Sequence, residues 1–303
     1  MDGPSAASHR VVMSGAHESG EVVLITGASS GFGLLTAVEL ARRGLRVFAS
    51  MRDPSRQAPL HATARAAGIE VEVVVLDVTR PATIAAALAD IRARAGGVDI
   101  LINNAGIGLI GAFEDTDEVE LRTLFETNFF GLGAVTRAVI PEMRARGRGR
   151  IVNVASMSGR IGAPAAAGYS ASKFAVEGLS EALSHELAPF GIDVVIVEPG
   201  TFATELIGPQ KRRWTTRAGD PASPYRALCS ALTRTMQKGF ERGHPDPNAV
   251  ALAIAHAATA MHPRLRYPVG NDAQVLSLLR GLLPARRFER VFRWLLRRAT
   301  SGD

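Results

Sequence analysis

Short runs rich in Val, Ile and Leu alternate along the chain with longer Ala-rich stretches whose apolar positions recur at helical spacing. This alternation predicts strands at 22–26, 46–50, 70–76, 100–103, 150–154, 193–198 and 266–269, and helices at 31–43, 81–95, 118–145, 168–190 and 248–261. Most strand segments are continuous apolar runs, as expected of strands covered on both faces. Strands taking turns with helices build βαβ units, so the expected fold class is α/β: a single Rossmann-type, doubly wound parallel sheet of about seven strands with helices on both faces. Two segments break the rhythm. Residues 201–244 are too long for a plain connector and carry Pro, Gly and Trp214, which suits a mobile lid over a pocket. Residues 275–303 form a basic, helical C-terminal extension.

The composition, 47% hydrophobic and 21% charged over 303 residues, excludes collagen-like and wholly disordered classes. It supports one catalytic-size domain at 21–274 behind a disordered leader at 1–20. That leader lacks the basic start and apolar run of a secretory signal, and no run of about 18 apolar residues occurs to span a bilayer. Cys229 is the single cysteine, with no disulfide partner and no metal-ligand or redox spacing around it, so a cytoplasmic protein without a metal site is expected. The net charge of +6 is concentrated in 262–298, where nine arginines face only Asp272 and Glu289. The rest of the chain is near neutral, which argues against a nucleic-acid partner.

After the first strand come Thr26-Gly27-Ala28-Ser29-Ser30-Gly31-Phe32-Gly33, opening a helix. Glycines at such a turn let the backbone approach a pyrophosphate and aim the free N–H groups of the helix start at it. The spacing differs from G-x-G-x-x-G, and a glycine turn alone is also compatible with an ordinary loop.

Tyr169 and Lys173 lie four apart on a predicted helix and share one face. A phenol with its ordinary pKa of about 10 is too weak a base at neutral pH, and a neighbouring ammonium favours the phenolate. A Tyr/Lys pair at this spacing is also a common surface pair. Ser156 changes the balance: it ends the fifth predicted strand, at the sheet edge where ligands bind, and its hydroxyl is placed to donate to a carbonyl oxygen as charge develops there. Ser158 is its rival.

Taken in order, Thr26-Gly27-x-x-x-Gly31-x-Gly33, Asn103-Asn104-Ala105-Gly106, Ser156, Tyr169-x-x-x-Lys173 and Pro199-Gly200 resemble the motif set of the short-chain dehydrogenase/reductase family. The resemblance is dense over 21–205 and looser to about 270. It implies Ser156 rather than Ser158 as the carbonyl-orienting serine, Tyr169 as general acid/base beside the cofactor, Lys173 as the cation that lowers its pKa together with an oxidised nicotinamide ring and holds the cofactor ribose, and Asn128 as the anchor of a proton relay. It further implies a nicotinamide dinucleotide held by Gly27, Ser29, Ser30, Gly31, Phe32 and Gly33. Asp77 and Val78 would meet the adenine, Asn103, Ala105 and Gly106 the ribose side, and Pro199, Gly200, Thr201 and Thr204 the carboxamide. In family register Met51 stands where an acid would select NAD(H) and Arg52 follows it, so NADP(H) is favoured; Asp53, one residue on, keeps NAD(H) as the alternative.

The stretch from Tyr169 to Leu183 looks most like the hydroxysteroid and retinol dehydrogenase branch, implying a small hydrophobic alcohol or carbonyl substrate. Phe202, Leu206, Ile207, Trp214, Tyr225, Leu228 and Met236 would supply apolar lining. Lys211, Arg212, Arg213 and Arg217 keep open a ketoreductase acting on 3-oxoacyl thioesters or polyketides, although scattered cations also suit a solvated loop. A non-catalytic NADP(H)-binding regulatory protein on the same fold is the reading of another class. The resemblance implies a homo-oligomer, dimer or tetramer, paired through the helices at 118–145 and 168–190. The Arg-rich amphipathic segment 275–298 suits either peripheral contact with an anionic membrane or docking on its own domain with the arginines outward, and the second is preferred.

Overall fold

The computed structural model describes residues 20–202, 214–241 and 246–300. Seven parallel strands form one sheet in the order β3-β2-β1-β4-β5-β6-β7: β1 (Val22–Ile25), β2 (Arg46–Met51), β3 (Glu72–Val75), β4 (Ile100–Asn103), β5 (Gly149–Val154), β6 (Ile192–Pro199) and β7 (Arg266–Val269). The chain order reverses between β1 and β4, which opens a crevice at the C-terminal ends of these two strands.

The continuous apolar strands are explained by two cores. Val23, Ile25, Ala49, Ile102 and Val152 point to the face covered by α1 (Gly31–Arg42), α2 (Ala58–Ala66) and α8 (Asn248–Thr259). Their neighbours Val22, Leu24, Phe48, Leu101 and Ile151 point to the other, against α3 (Pro81–Ala95), α5 (Leu132–Arg146) and the far end of α6 (Ala167–Leu187). Side chains alternate across a strand, so burial on both faces requires apolar residues at every position.

The predicted helix at 118–145 is not continuous. It is α4 (Glu118–Phe125), a wide π-helical turn at Glu126–Gly131, and then α5. Two local interactions sit in the wide turn: Asn128 hydrogen bonds to the backbone of Ile107, and Gly131 packs so closely on Val78 that a β-carbon there would lie 2.7 Å from Val78 Cγ2. Helix α2 was not expected, because only Leu60 and Ala64 along it are buried and its apolar signal is correspondingly weak.

The segment read as a lid contains α7 (Arg226–Glu241), and its described first part is tied down rather than free. Thr215 N–H donates to Ile110 O at 2.8 Å, and Ser223 Oγ donates to the buried Asp115 at 2.5 Å. The C-terminal extension is a hairpin of α9 (Asn271–Leu282) and α10 (Ala285–Thr300). Phe288 is buried with Met157, Ile161 and Ala273, so the hairpin docks on its own domain, while Leu278, Leu282 and Trp294 stay exposed. Among the described residues no helix is long and apolar enough to cross a membrane, and no cluster of His, Cys, Asp and Glu could hold a metal ion.

Candidate active site

The crevice is a cleft of about 420 Å³ across the C-terminal ends of the central strands. Its floor is the glycine turn, and the next strand holds that turn in place. Thr26 Oγ1 accepts from the N–H groups of Asn104 and Ala105, both at 3.0 Å, and Asn104 Nδ2 donates to the carbonyls of Thr26 and Gly27, also at 3.0 Å. Gly27 has φ +70°, and a β-carbon there would lie 2.7 Å from Ala105 Cα. Only glycine permits this contact. Gly31, at φ +57°, has nothing within 4 Å of where a β-carbon would stand. The N-cap Ser30 makes no side-chain capping bond and the first turn of α1 has no acidic side chain, so its N–H groups remain available to an anion. Open amides beside Ser29, Ser30, Arg52 and Arg56 fit a phosphorylated dinucleotide, and all four residues line the cleft.

Ser156 follows β5, and its Oγ accepts from Ser158 N–H at 3.1 Å within a tight turn. Ser158 also lines the cleft, with its backbone orienting Ser156. From the start of α6, Tyr169 shares a hydrogen bond with Ser156, and Lys173 Nζ lies 6.0 Å from the Tyr169 ring centre. Lys173 is buried and donates to Val154 O at 2.9 Å. The three side chains therefore converge on one wall of the cleft.

Burial pushes the Tyr169 phenol up to about 12, with the Ser156 hydrogen bond opposing. Burial also pushes Lys173 down to about 8, with the charge of Glu177 opposing. The sequence led to the expectation of a phenol lowered by Lys173 together with the positive ring of an oxidised nicotinamide. Within the chain's own groups, desolvation outweighs the lowering influence, which comes from the Ser156 hydrogen bond.

Of the remaining expected residues, Gly27, Gly31, Phe32, Asp77, Val78, Ala105, Gly106, Pro199, Gly200 and Thr201 line the cleft. Gly33 and Asn103 do not. Gly33 is a packing glycine, since a β-carbon there would meet Asn104 Nδ2 at 2.4 Å. Asn103 is buried behind the wall, donating to Thr136 Oγ1 at 2.8 Å and Asn153 Oδ1 at 2.9 Å.

Asn128 also stands behind the wall. Its Oδ1 accepts from Ile107 N–H at 2.7 Å and its Nδ2 donates to Ile107 O at 2.9 Å and Ser172 Oγ at 3.1 Å. It faces Lys173 across Gly106, where a β-carbon would lie 3.3 Å from Asn128 Oδ1 and 3.8 Å from Lys173 Nζ.

Of the apolar residues proposed for the substrate side, Phe202 lines the cleft, edge-on to Phe32 with ring centres 5.8 Å apart, whereas Trp214, Tyr225 and Leu228 do not. Thr204, Leu206, Ile207, Lys211, Arg212, Arg213 and the side chain of Met236 lie outside the described residues.

Sequence reasoning missed Arg56, Asn104 and Asp272. Asp272, at the start of α9, accepts from Thr201 N–H at 2.8 Å, and a β-carbon at Gly200 would lie 2.1 Å from its Oδ1. A signal existed for Asn104, because side chains alternate along β4 and its buried neighbour Asn103 had to point the other way. Asp272 carried none, as it reaches the site from 71 residues away in sequence.

Comparison with known proteins agrees with this geometry. The family model for the short chain dehydrogenase matches residues 21–214. A 3-ketodihydrosphingosine reductase of Bacteroides thetaiotaomicron is 38% identical over 257 residues, 84% of this chain and 90% of the relative. Retinol dehydrogenase 5 of Homo sapiens is 36% identical over 289 residues, 92% of this chain and 89% of the relative. A solved variant of actinorhodin polyketide ketoreductase with NADPH is 36% identical with TM-score 0.67, covering 80% of this chain and 91% of that one. Because the match runs unbroken through the glycine turn, the serine and the Tyr169–Lys173 pair, the chain belongs to the short-chain dehydrogenase family and is an NAD(P)-dependent oxidoreductase acting on CH–OH groups.

Proposed function

We propose that this enzyme prefers NADP(H) and interconverts a hydrophobic secondary alcohol with its ketone. The observation that carries the reading is the convergence of Ser156, Tyr169 and Lys173 on one wall of a cleft whose floor is an open helix N-terminus. Bound NADPH would supply the hydride. On the chain's side, Ser156 donates a hydrogen bond to the substrate oxygen, and Tyr169 gives that oxygen its proton as the carbonyl carbon is reduced. A phenol held near 12 is protonated at neutral pH, the state in which it can give up a proton to the substrate oxygen. Lys173 places an ammonium beside the phenol and would hold the cofactor ribose. Asn128 supports this wall by joining the π-helical turn to Ile107 and to Ser172 of α6.

The preference for NADP(H) rests on the end of β2. Met51, Arg52 and Arg56 line the cleft there. Asp53, the residue that kept NAD(H) open, turns its carboxylate into the next turn instead, accepting from Ser55 N–H at 3.0 Å and Ser55 Oγ at 2.7 Å. Two guanidinium groups at the end of β2 supply the positive charge that a 2′-phosphate would meet, with Asp53 and Asp77 as their acidic neighbours.

An apolar carbonyl substrate fits the lipophilic substrates named for the two curated relatives. The acyl-thioester alternative draws less support from the described residues, since Arg217 faces Asp115 at 4.0 Å and Asp220 at 3.7 Å. Exposed Val119, Phe130 and Phe174 on the α4–α6 side favour a homo-oligomer, and a lone, buried Cys229 favours the cytoplasm.

The test is Tyr169→Phe, with NADPH binding followed by fluorescence and NADPH consumption measured against steroids, retinoids, aromatic ketones and acyl thioesters. Binding is expected to persist while turnover falls by about a thousandfold or more, the scale of a lost general acid. Wild-type turnover in that variant refutes the assignment.

A further inference from the structure

One turn beyond Lys173 on the same face of α6 lies Glu177, which is buried, and facing it from the end of β6 is Glu198, fully buried. Arg266 of β7 reaches between them, donating to Glu177 and, at 3.0 Å, to Glu198, while its other nitrogen holds the half-exposed Glu181 at 2.7 Å. Arg160, four residues after Ser156, approaches Glu198 at 3.5 Å and Ser277 of α9 at 3.3 Å. Glu177 Oε1 and Glu198 Oε2 have no hydrogen-bond partner among the described residues. The group therefore joins the elements that carry Ser156, the Tyr169–Lys173 pair and the Pro199–Gly200 segment. The packing is tight: a β-carbon at Gly159 would lie 2.9 Å from both Glu177 Cγ and Lys173 O.

We propose that Glu177 is a positioning residue for proton delivery, its charge, balanced between Glu198 and Arg266, keeping Lys173 cationic beside the phenol. The proposal rests on the reading of Tyr169 and Lys173 as catalytic. Two buried carboxylates against one shared guanidinium repel each other, so one of them readily takes up a proton near neutrality. Burial and Glu198 push Glu177 up to about 7, against Arg266 and Arg160. Ionised Glu177 in turn supports the ammonium of Lys173, which burial has lowered to about 8. The groups facing Glu177 are thus Lys173 and Glu181 on its own helix, Glu198 on β6, Arg266 on β7 and Arg160 after β5.

The chain has only three lysines, Lys173, Lys211 and Lys238, which makes the charge of Lys173 directly measurable. Protein labelled with ¹³C at lysine Cε gives three side-chain signals, and Lys173→Arg identifies the one from Lys173. Its titration is followed in the free protein and with NADPH. In Glu177→Gln the midpoint is expected to fall by about one pH unit, the size of a screened charge one helical turn away. Glu177→Asp is expected to retain the wild-type value. In Glu198→Gln the midpoint is expected to stay within about 0.3 of the wild-type value, since a Glu177 near 7 is already mostly ionised where Lys173, near 8, titrates. An unmoved Lys173 midpoint in Glu177→Gln overturns the proposal. Should that variant not fold by circular dichroism, the wild-type curve decides: a Lys173 signal with no second inflection near 7, where Glu177 ionises, overturns it. Failure of the catalytic reading shows separately, as turnover retained by Tyr169→Phe.

Discussion

Replacing Lys173 by Met is expected to abolish turnover while making the protein relatively more stable at pH 7 than at pH 10.5. Burial lowers the ammonium from its ordinary 10.5 to about 8, so the folded chain holds this charge at a cost absent from the unfolded chain. The gap corresponds to about 3 kcal/mol. The cost is fully present below about 8 and fades as pH rises to 10.5, because the folded lysine gives up its proton before the unfolded one does. Methionine carries no charge and removes this pH dependence. Against that gain, Val154 O loses the 2.9 Å bond from Nζ, a pH-independent loss of about 1–3 kcal/mol for a buried acceptor. The two stability curves should therefore converge or cross: near parity or a gain of up to about 2 kcal/mol for the variant at pH 7, and a deficit of about 1–3 kcal/mol at pH 10.5. Urea denaturation of both proteins at a series of pH values, followed by circular dichroism, reads this directly. A stability difference that stays constant between pH 7 and 10.5 refutes the claim that Lys173 is held as a costly buried cation.

Joint replacement of Arg52 and Arg56 by Ala should lower the ratio of kcat/KM with NADPH to that with NADH by about ten- to a hundredfold, the loss of one or two charged hydrogen bonds to phosphate; an unchanged ratio removes the basis for the NADP(H) preference. Asn128→Ala leaves both backbone groups of Ile107 without their amide partner, and a loss of about 2–4 kcal/mol is expected in the same urea assay. A loss below about 1 kcal/mol would show that the amide is not what holds the π-helical turn to the cleft wall.

Local pattern was enough for elements and chemistry that depend on neighbours in the chain. Strands such as Leu101 and Ile102 could be recognised because burial on both faces requires an unbroken apolar run. The Tyr169–Lys173 pair was legible because four residues make one helical turn, and the glycine turn because a strand meets a helix there. The sequence also offered Gly33 and Asn103 as cofactor contacts. Their spacing matches the motif, but whether a motif residue faces the ligand or the wall behind it depends on a β-carbon's room and on which side of β4 a side chain leaves. The π-helical turn at Asn128 was illegible for a related reason. The stretch from 118 to 145 has helical spacing throughout, and the contacts that sit at the widened turn, Asn128 with the backbone of Ile107 and Gly131 with Val78, come from distant parts of the chain.

What the sequence determined by itself was the alternation of strands and helices, the order of the motifs and hence the family and its class of reaction, because each is written in residues a few positions apart. What only the tertiary structure decided was the electrostatics that the chain's own groups impose on the site: a phenol raised by burial, a lysine near 8, a carboxylate pair bridged by Arg266, and Asp53 accepting from Ser55 in the turn after β2. Burial and charge proximity are sums over groups brought together from distant parts of the chain, and spacing along the sequence carries no record of them.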